Sequence, residues 1–136
     1  MDDKTFQCDL ITPQRVLFSG RVVSVRAPGT IGSFQVLYNH APLLSSLTIG
    51  KIIIRLPDGS ELLYAISGGF AEVRENRVLL LAETAERRDE IDVARAEAAR
   101  DRALKRLKER SKDIDPERAR AALKRALNRL QIARGG

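Results

Sequence analysis

Charged residues recur at helical spacing in the last third of the chain: Asp92, Arg95 and Arg102 in one segment, Arg118, Arg125 and Arg129 in the next. At about 100° per residue, Asp92, Arg95, Ala99 and Arg102 share one helix face, with a small residue between the charges. Arg118, Ala122, Arg125 and Arg129 share a face of the second segment. Guanidinium forks match phosphate oxygens two at a time, so two such faces brought together could hold a polyphosphate. Solvated faces helped by i,i+4 pairs such as Asp101 and Lys105 are the better account of the arginines taken alone. Spacing alone therefore favours a solvated face over a site.

Other chemistry is scarce. The sequence has no G-x-x-x-x-G-K-[ST] loop and no Cys/His cluster with metal-ligand spacing. Its single histidine, His40, would have to serve any Ser/His/Asp or Cys/His centre, and no acidic orienter or nucleophile stands near it. A structural, hydrogen-bonded histidine is the better reading. The single cysteine, Cys8, alternates with Phe6 and Leu10 on one side of a strand and reads as a buried apolar residue. An enzyme with its own active site is not expected.

Positioning those charged faces requires two modules. Lys+Arg and Asp+Glu number 8 and 8 in residues 1–85 but 16 and 10 in residues 86–136, so the formal charge of +6 lies wholly in the second part. The chain of 136 residues is 43% hydrophobic, enough for a modest core in each part. No apolar run reaches the roughly 18 residues of a membrane span, and Met1-Asp2-Asp3-Lys4 lacks the basic start of a signal peptide. A soluble protein on the cytosolic side is expected.

Residues 1–85 break into short alternating runs separated by turn residues, the pattern of an antiparallel β-sandwich. Strands are expected at 6–11, 16–19, 22–26, 33–36, 51–55, 61–67, 69–74 and 77–82. Pro57-Asp58-Gly59 and Glu75-Asn76 supply tight turns. From residue 86 onward Ala, Arg, Glu and Leu dominate, which favours helix. Asp89 is the expected first N-cap, and Ser111-Lys112-Asp113 the interruption. Asp115 followed by Pro116 then caps a second helix running to Gly135-Gly136. Two helices joined by a short polar link form an antiparallel hairpin, so the fold class is α+β. The expected seam is Val93, Ala96, Ala99, Ala103, Leu104 and Leu107 against Ala119, Ala122, Leu123, Ala126, Leu127 and Leu130. At about 0.8 kcal/mol per buried CH₂ an Ala-rich seam stabilises docking only modestly.

Gly32, Val36 to Leu44 with His40-Ala41-Pro42-Leu43-Leu44, Ile66-Ser67-Gly68-Gly69-Phe70-Ala71-Glu72-Val73 and Ile91-Asp92-Val93-Ala94-Arg95-Ala96 occur in an order that resembles the epsilon subunit of bacterial F-type ATP synthase. The resemblance spans nearly the whole chain. It departs from many relatives where Phe34 and Tyr38-Asn39 replace a Gly and a Pro-Gly.

The resemblance implies a non-catalytic rotor-stalk subunit, peripheral on the cytoplasmic face of the bacterial membrane, which helps couple proton flow to ATP synthesis. Its sandwich would meet the gamma subunit and the c-ring. Its hairpin would inhibit ATP hydrolysis when extended toward the alpha/beta hexamer and release it when folded. Some members bind ATP in the folded hairpin through an I-D-x-x-R-A motif and later arginines. No cofactor is required, and ATP is the implied regulatory ligand. By that resemblance Arg102, Arg125 and Arg129 would take the triphosphate, Glu86 and Asp92 the adenine amino group, Ile91 an apolar contact, and Arg95 a bridging role. Two other functions compete. A nucleic-acid binder would suit a pI near 10.0, yet the hairpin has no aromatic residue for stacking and its ten acids repel phosphate backbones. A free-standing ATP sensor would carry the same hairpin without the larger machine.

Overall fold

The structure, a computed structural model, describes residues 4–109 and 113–135; the expectations on Met1-Asp2-Asp3, Ser111-Lys112 and Gly136 lie outside the described residues. Among the described residues eight strands come first: β1 Phe6–Ile11, β2 Val16–Val22, β3 Ser24–Pro28, β4 Ser33–Val36, β5 Leu43–Arg55, β6 Glu61–Arg74, β7 Arg77–Ala82 and β8 Ala85–Arg87. A 3₁₀ turn at Arg88–Glu90 leads into α1 Val93–Lys108, and α2 Pro116–Ala133 closes the chain.

The strands hydrogen-bond in the order β2-β1-β7-β6-β5-β3-β4, with β8 against β6. Alternation places Phe6, Cys8 and Leu10 of β1, Ile52 and Ile54 of β5, and Val78 and Leu80 of β7 in a single core. Cys8 is fully buried there, and loss of solvent pushes its thiol pKa up to about 12. One pairing departs from the antiparallel expectation: β1 lies parallel to β7, from Gln7 opposite Arg77 to Ile11 opposite Leu81. The long stretch of chain between these two strands leaves their relative direction free of the hairpin constraint.

Both expected tight turns form. At Pro57-Asp58-Gly59 the Asp58 carboxylate accepts from the Ser60 hydroxyl at 2.6 Å and the Ser60 amide at 2.9 Å, which holds it below the usual carboxylate range. Glu75 and Asn76 take φ of 52° and 58°, the left-handed pair that a two-residue hairpin needs. Asn39, in the segment that departs from Pro-Gly, holds φ at 58° and donates its backbone N–H to Asn76 Oδ1 at 2.9 Å. Asparagine tolerates this conformation better than most residues.

Strand β6 is continuous where a break between Ser67 and Gly69 was expected. Its inward face shifts across Gly68-Gly69, from Tyr64 and Ile66 on one side to Ala71 and Val73 on the other. The pairing register with β5 is unchanged across this point, so the change of face is a bend of the backbone, taken up by the positive φ of Gly68 and Gly69. At Gly69 φ is 147°, and a Cβ would sit 1.9 Å from the Leu81 carbonyl oxygen. Strand β5 begins at Leu43, well before Lys51: Ser45 and Ser46 interrupt the apolar pattern but not the pairing with β6.

The first helix starts three residues later than expected. Asp89 belongs to the 3₁₀ turn, and Asp92 is the N-cap, accepting from the Arg95 amide at 3.0 Å. Ile91 must stay extended (φ −71°, ψ 124°) to bury its side chain against Ala65 and Ile132, so the helix cannot begin before it. Asp115 caps α2 as expected, accepting from the amides of Glu117 and Arg118. The helices form a hairpin whose seam is alanine-rich, with Ala96, Ala103, Ala119, Ala126 and Leu130 buried. Val93, Leu104 and Leu127, expected in that seam, are exposed by 38%, 40% and 48%. The hairpin lies folded on the sheet, α2 packing against β5 and β6.

Candidate functional site

Where α1, α2 and the end of the sheet meet, a cavity of about 470 Å³ opens. Its size falls within the range of small-molecule sites. Five of the residues singled out by spacing and motif line it: Glu86, Asp92, Arg95, Arg102 and Arg129. Each arrives by a different route. Glu86 sits on β8, held beside β6 by pairing with Ala65. Asp92 is fixed by its capping bond, and Arg95 and Arg102 follow on the same face of α1 one and three turns into the helix. Arg129 reaches in from α2 and its Nε donates to Glu86 Oε1 in a close ion pair.

Two further candidates lie beside the cavity. Arg125 lines a small adjoining cleft with Ser67, Thr84, Asn128 and Arg129. Ile91 is turned into the apolar cluster with Ala65 and Ile132, beneath the site. Reading the sequence missed Thr84 and Glu90, which line the cavity. Thr84 lies between β7 and β8 in a polar stretch without periodicity. Glu90 sits in a 3₁₀ turn where local propensity predicts the first turn of a helix.

The lining is electrically balanced: Glu86, Glu90 and Asp92 oppose Arg95, Arg102 and Arg129. One oxygen of Asp92 is committed to the helix cap, and Glu86 is committed to Arg129. Arg95 and Arg102 are exposed, whereas Arg129 and Glu86 are half-buried, with side chains 29% and 36% exposed. Such an array suits a ligand carrying both anionic oxygens and hydrogen-bond donors. Ala96 and Ala99 keep the α1 wall low enough for it to approach. Among the described residues no cluster of three or more His, Cys, Asp or Glu side chains could hold a metal ion. His40 Nδ1 lies 2.6 Å from the Ala41 carbonyl oxygen, a local contact away from the cavity.

Residues 5–88 match the family described as "ATP synthase, Delta/Epsilon chain, beta-sandwich domain", and residues 89–134 match "ATP synthase, Delta/Epsilon chain, long alpha-helix domain". The chain belongs to the ATP synthase delta/epsilon family. The boundary between the family's two domains falls just after β8, so the sheet extends through Glu86 and Arg87. Among similar family members, the ATP synthase epsilon chain of Pelotomaculum thermopropionicum is 53% identical over 107 residues, covering 79% of each chain. That of Syntrophomonas wolfei is 44% identical over 108 residues, again covering 79% of each. Among solved structures, a chain of the Euglena gracilis mitochondrial ATP synthase (OSCP/F1/c-ring, rotational state 1) superimposes with a TM-score of 0.80. It is 21% identical, with 91% of this chain and 78% of that chain covered, and so speaks for the family's fold alone. Among the described residues no helix is long and apolar enough to cross a membrane.

Proposed function

We propose that this protein is the non-catalytic epsilon subunit of an F-type ATP synthase central stalk, and that its hairpin is a nucleotide-regulated brake on ATP hydrolysis. Membership of the delta/epsilon family over both domains supports the stalk assignment. On that reading the sandwich meets the gamma subunit and the c-ring, at the cytoplasmic face of the membrane. The extended hairpin then meets the alpha/beta hexamer, where Lys105, Arg106 and Lys108 in the last turn of α1 would face acidic surface.

The observation that carries the nucleotide reading is the convergence of Arg95, Arg102 and Arg129 on one cavity made by both helices and the sheet. Guanidinium groups of Arg102 and Arg129, with Arg125 alongside, would hold phosphate oxygens, and Asp92 would accept from an adenine amino group. A ligand held this way binds the folded hairpin and not the extended one, and it shifts the balance by that difference in affinity.

Strand β8 ends at Arg87, so deletion of residues 89–136 leaves the sheet whole. Synthase reconstituted with the shortened chain should still assemble and should hydrolyse ATP faster than synthase carrying the full chain. Equal hydrolysis would remove the brake, and failure to co-assemble with gamma would remove the stalk role.

A further inference from the structure

The Glu86–Arg129 pair joins the two domains. Glu86 belongs to β8 in the body of the sheet, Arg129 to α2 of the hairpin, and 43 residues separate them in sequence. Both side chains are half-buried, so their attraction is less screened than that of an exposed surface pair. Both also line the cavity. The Glu86 oxygen at Arg129 Nε stands where a phosphate oxygen would accept the same N–H.

Resting on the nucleotide reading above, we infer that Glu86 is an internal competitor for the anion position at Arg129, and that it sets how tightly the cavity binds polyphosphate. Without ligand the pair latches α2 to the sheet. An incoming triphosphate must take Arg129 from Glu86, and the displaced carboxylate then repels the phosphates it faces. The balanced lining gives this weight, because three acids against three arginines leave no surplus of positive charge in the cavity until Glu86 is neutralised. Glu86 thereby takes a role opposite to that of a ligand acceptor. As an adenine contact its loss would weaken ATP binding, whereas as a competitor its neutralisation strengthens it.

Glu90 supplies the control: it lines the same cavity and bears the same charge, but Arg129 pairs with Glu86. Calorimetric titration of the full chain with inorganic triphosphate and with ATP should show Glu86→Gln tightening both by about tenfold, the loss of one charge-assisted competitor. Glu90→Gln should tighten them by less than about threefold, a through-space charge effect alone. In an Arg129→Ala background Glu86→Gln should do no more than Glu90→Gln, since the two residues act as one coupled pair. With no ligand, Glu86→Gln should raise amide exchange over residues 116–133 by about fivefold or more as the latch is lost. Unchanged triphosphate affinity in Glu86→Gln, or weaker ATP affinity with triphosphate unchanged, overturns the competitor role while wild-type binding keeps the nucleotide site. Absence of binding in the wild type and in every variant removes the nucleotide site and the competitor together.

Discussion

Asn128 on α2 donates its side-chain amide to the carbonyl oxygen of Gly50 on β5 across 2.9 Å, joining residues 78 apart in sequence. With Ile132 buried against Ala65 and Ile91, and Arg129 paired with Glu86, it makes three kinds of contact that hold the hairpin on the sheet. None is large. The folded hairpin is therefore poised so that a ligand can decide its position.

Removal of the Asn128 tie should show this directly. Asn128→Ala loses one part-buried neutral hydrogen bond, worth about 1 kcal/mol. Amide exchange over residues 93–133 should rise roughly fivefold to tenfold, with the sheet unaffected. Exchange that rises equally in both domains would mean that the domains open as one unit.

The bend in β6 makes a sharper demand on sequence. Gly69→Ala places a methyl where only 1.9 Å separates it from the Leu81 carbonyl oxygen, on a backbone conformation that alanine avoids. Urea unfolding should show a loss of about 3 kcal/mol or more, or no folded protein. Gly59→Ala, where a Cβ would meet nothing within 4 Å, should cost less, through its φ of 91° alone.

These contrasts explain how much could be read in advance. Strands β1, β4 and β7 and the Asp115-Pro116 start of α2 were legible because alternation or capping chemistry marks both what they are and where they begin. Strand β8 was not: Ala85–Arg87 is three residues long, with no apolar face, and only pairing to β6 makes it a strand. The start of α1 was misplaced because local propensity favours Asp89, while burial of Ile91 against α2 overrides it. The seam partners Val93, Leu104 and Leu127 were misjudged because helix periodicity fixes a face but not how the second helix rotates upon it. At the site, spacing united Asp92, Arg95 and Arg102, but only the tertiary fold could bring Glu86 to Arg129 or turn Ile91 away.

Cys8 gives a prediction in pH. Burial raises its thiol from an ordinary value of 9.0 to about 12. A group whose folded pKa is raised contributes stability that is intact below the unfolded value and lost as pH climbs toward the folded one. The window is therefore pH 9 to 12, where the unfolded chain releases a proton that the folded chain keeps. Wild-type stability should fall by up to about 1.4 kcal/mol per pH unit more steeply than that of Cys8→Ala across this window. The comparison cancels Tyr64, whose hydroxyl burial also raises and which both proteins share. Parallel slopes would show that water reaches the thiol.

Hydrogen exchange of the full chain with and without ATP reads out whether the nucleotide holds the hairpin folded. At free ATP about one hundred times its dissociation constant, the folded hairpin gains roughly 2.7 kcal/mol, enough to slow opening about a hundredfold. Residues 93–133 should exchange correspondingly more slowly, with strands β1 to β7 nearly unchanged, and Arg102→Ala should erase most of the difference by removing a phosphate fork from the cavity. Equal protection of the hairpin with and without saturating ATP would mean that the nucleotide does not hold the hairpin on the sheet.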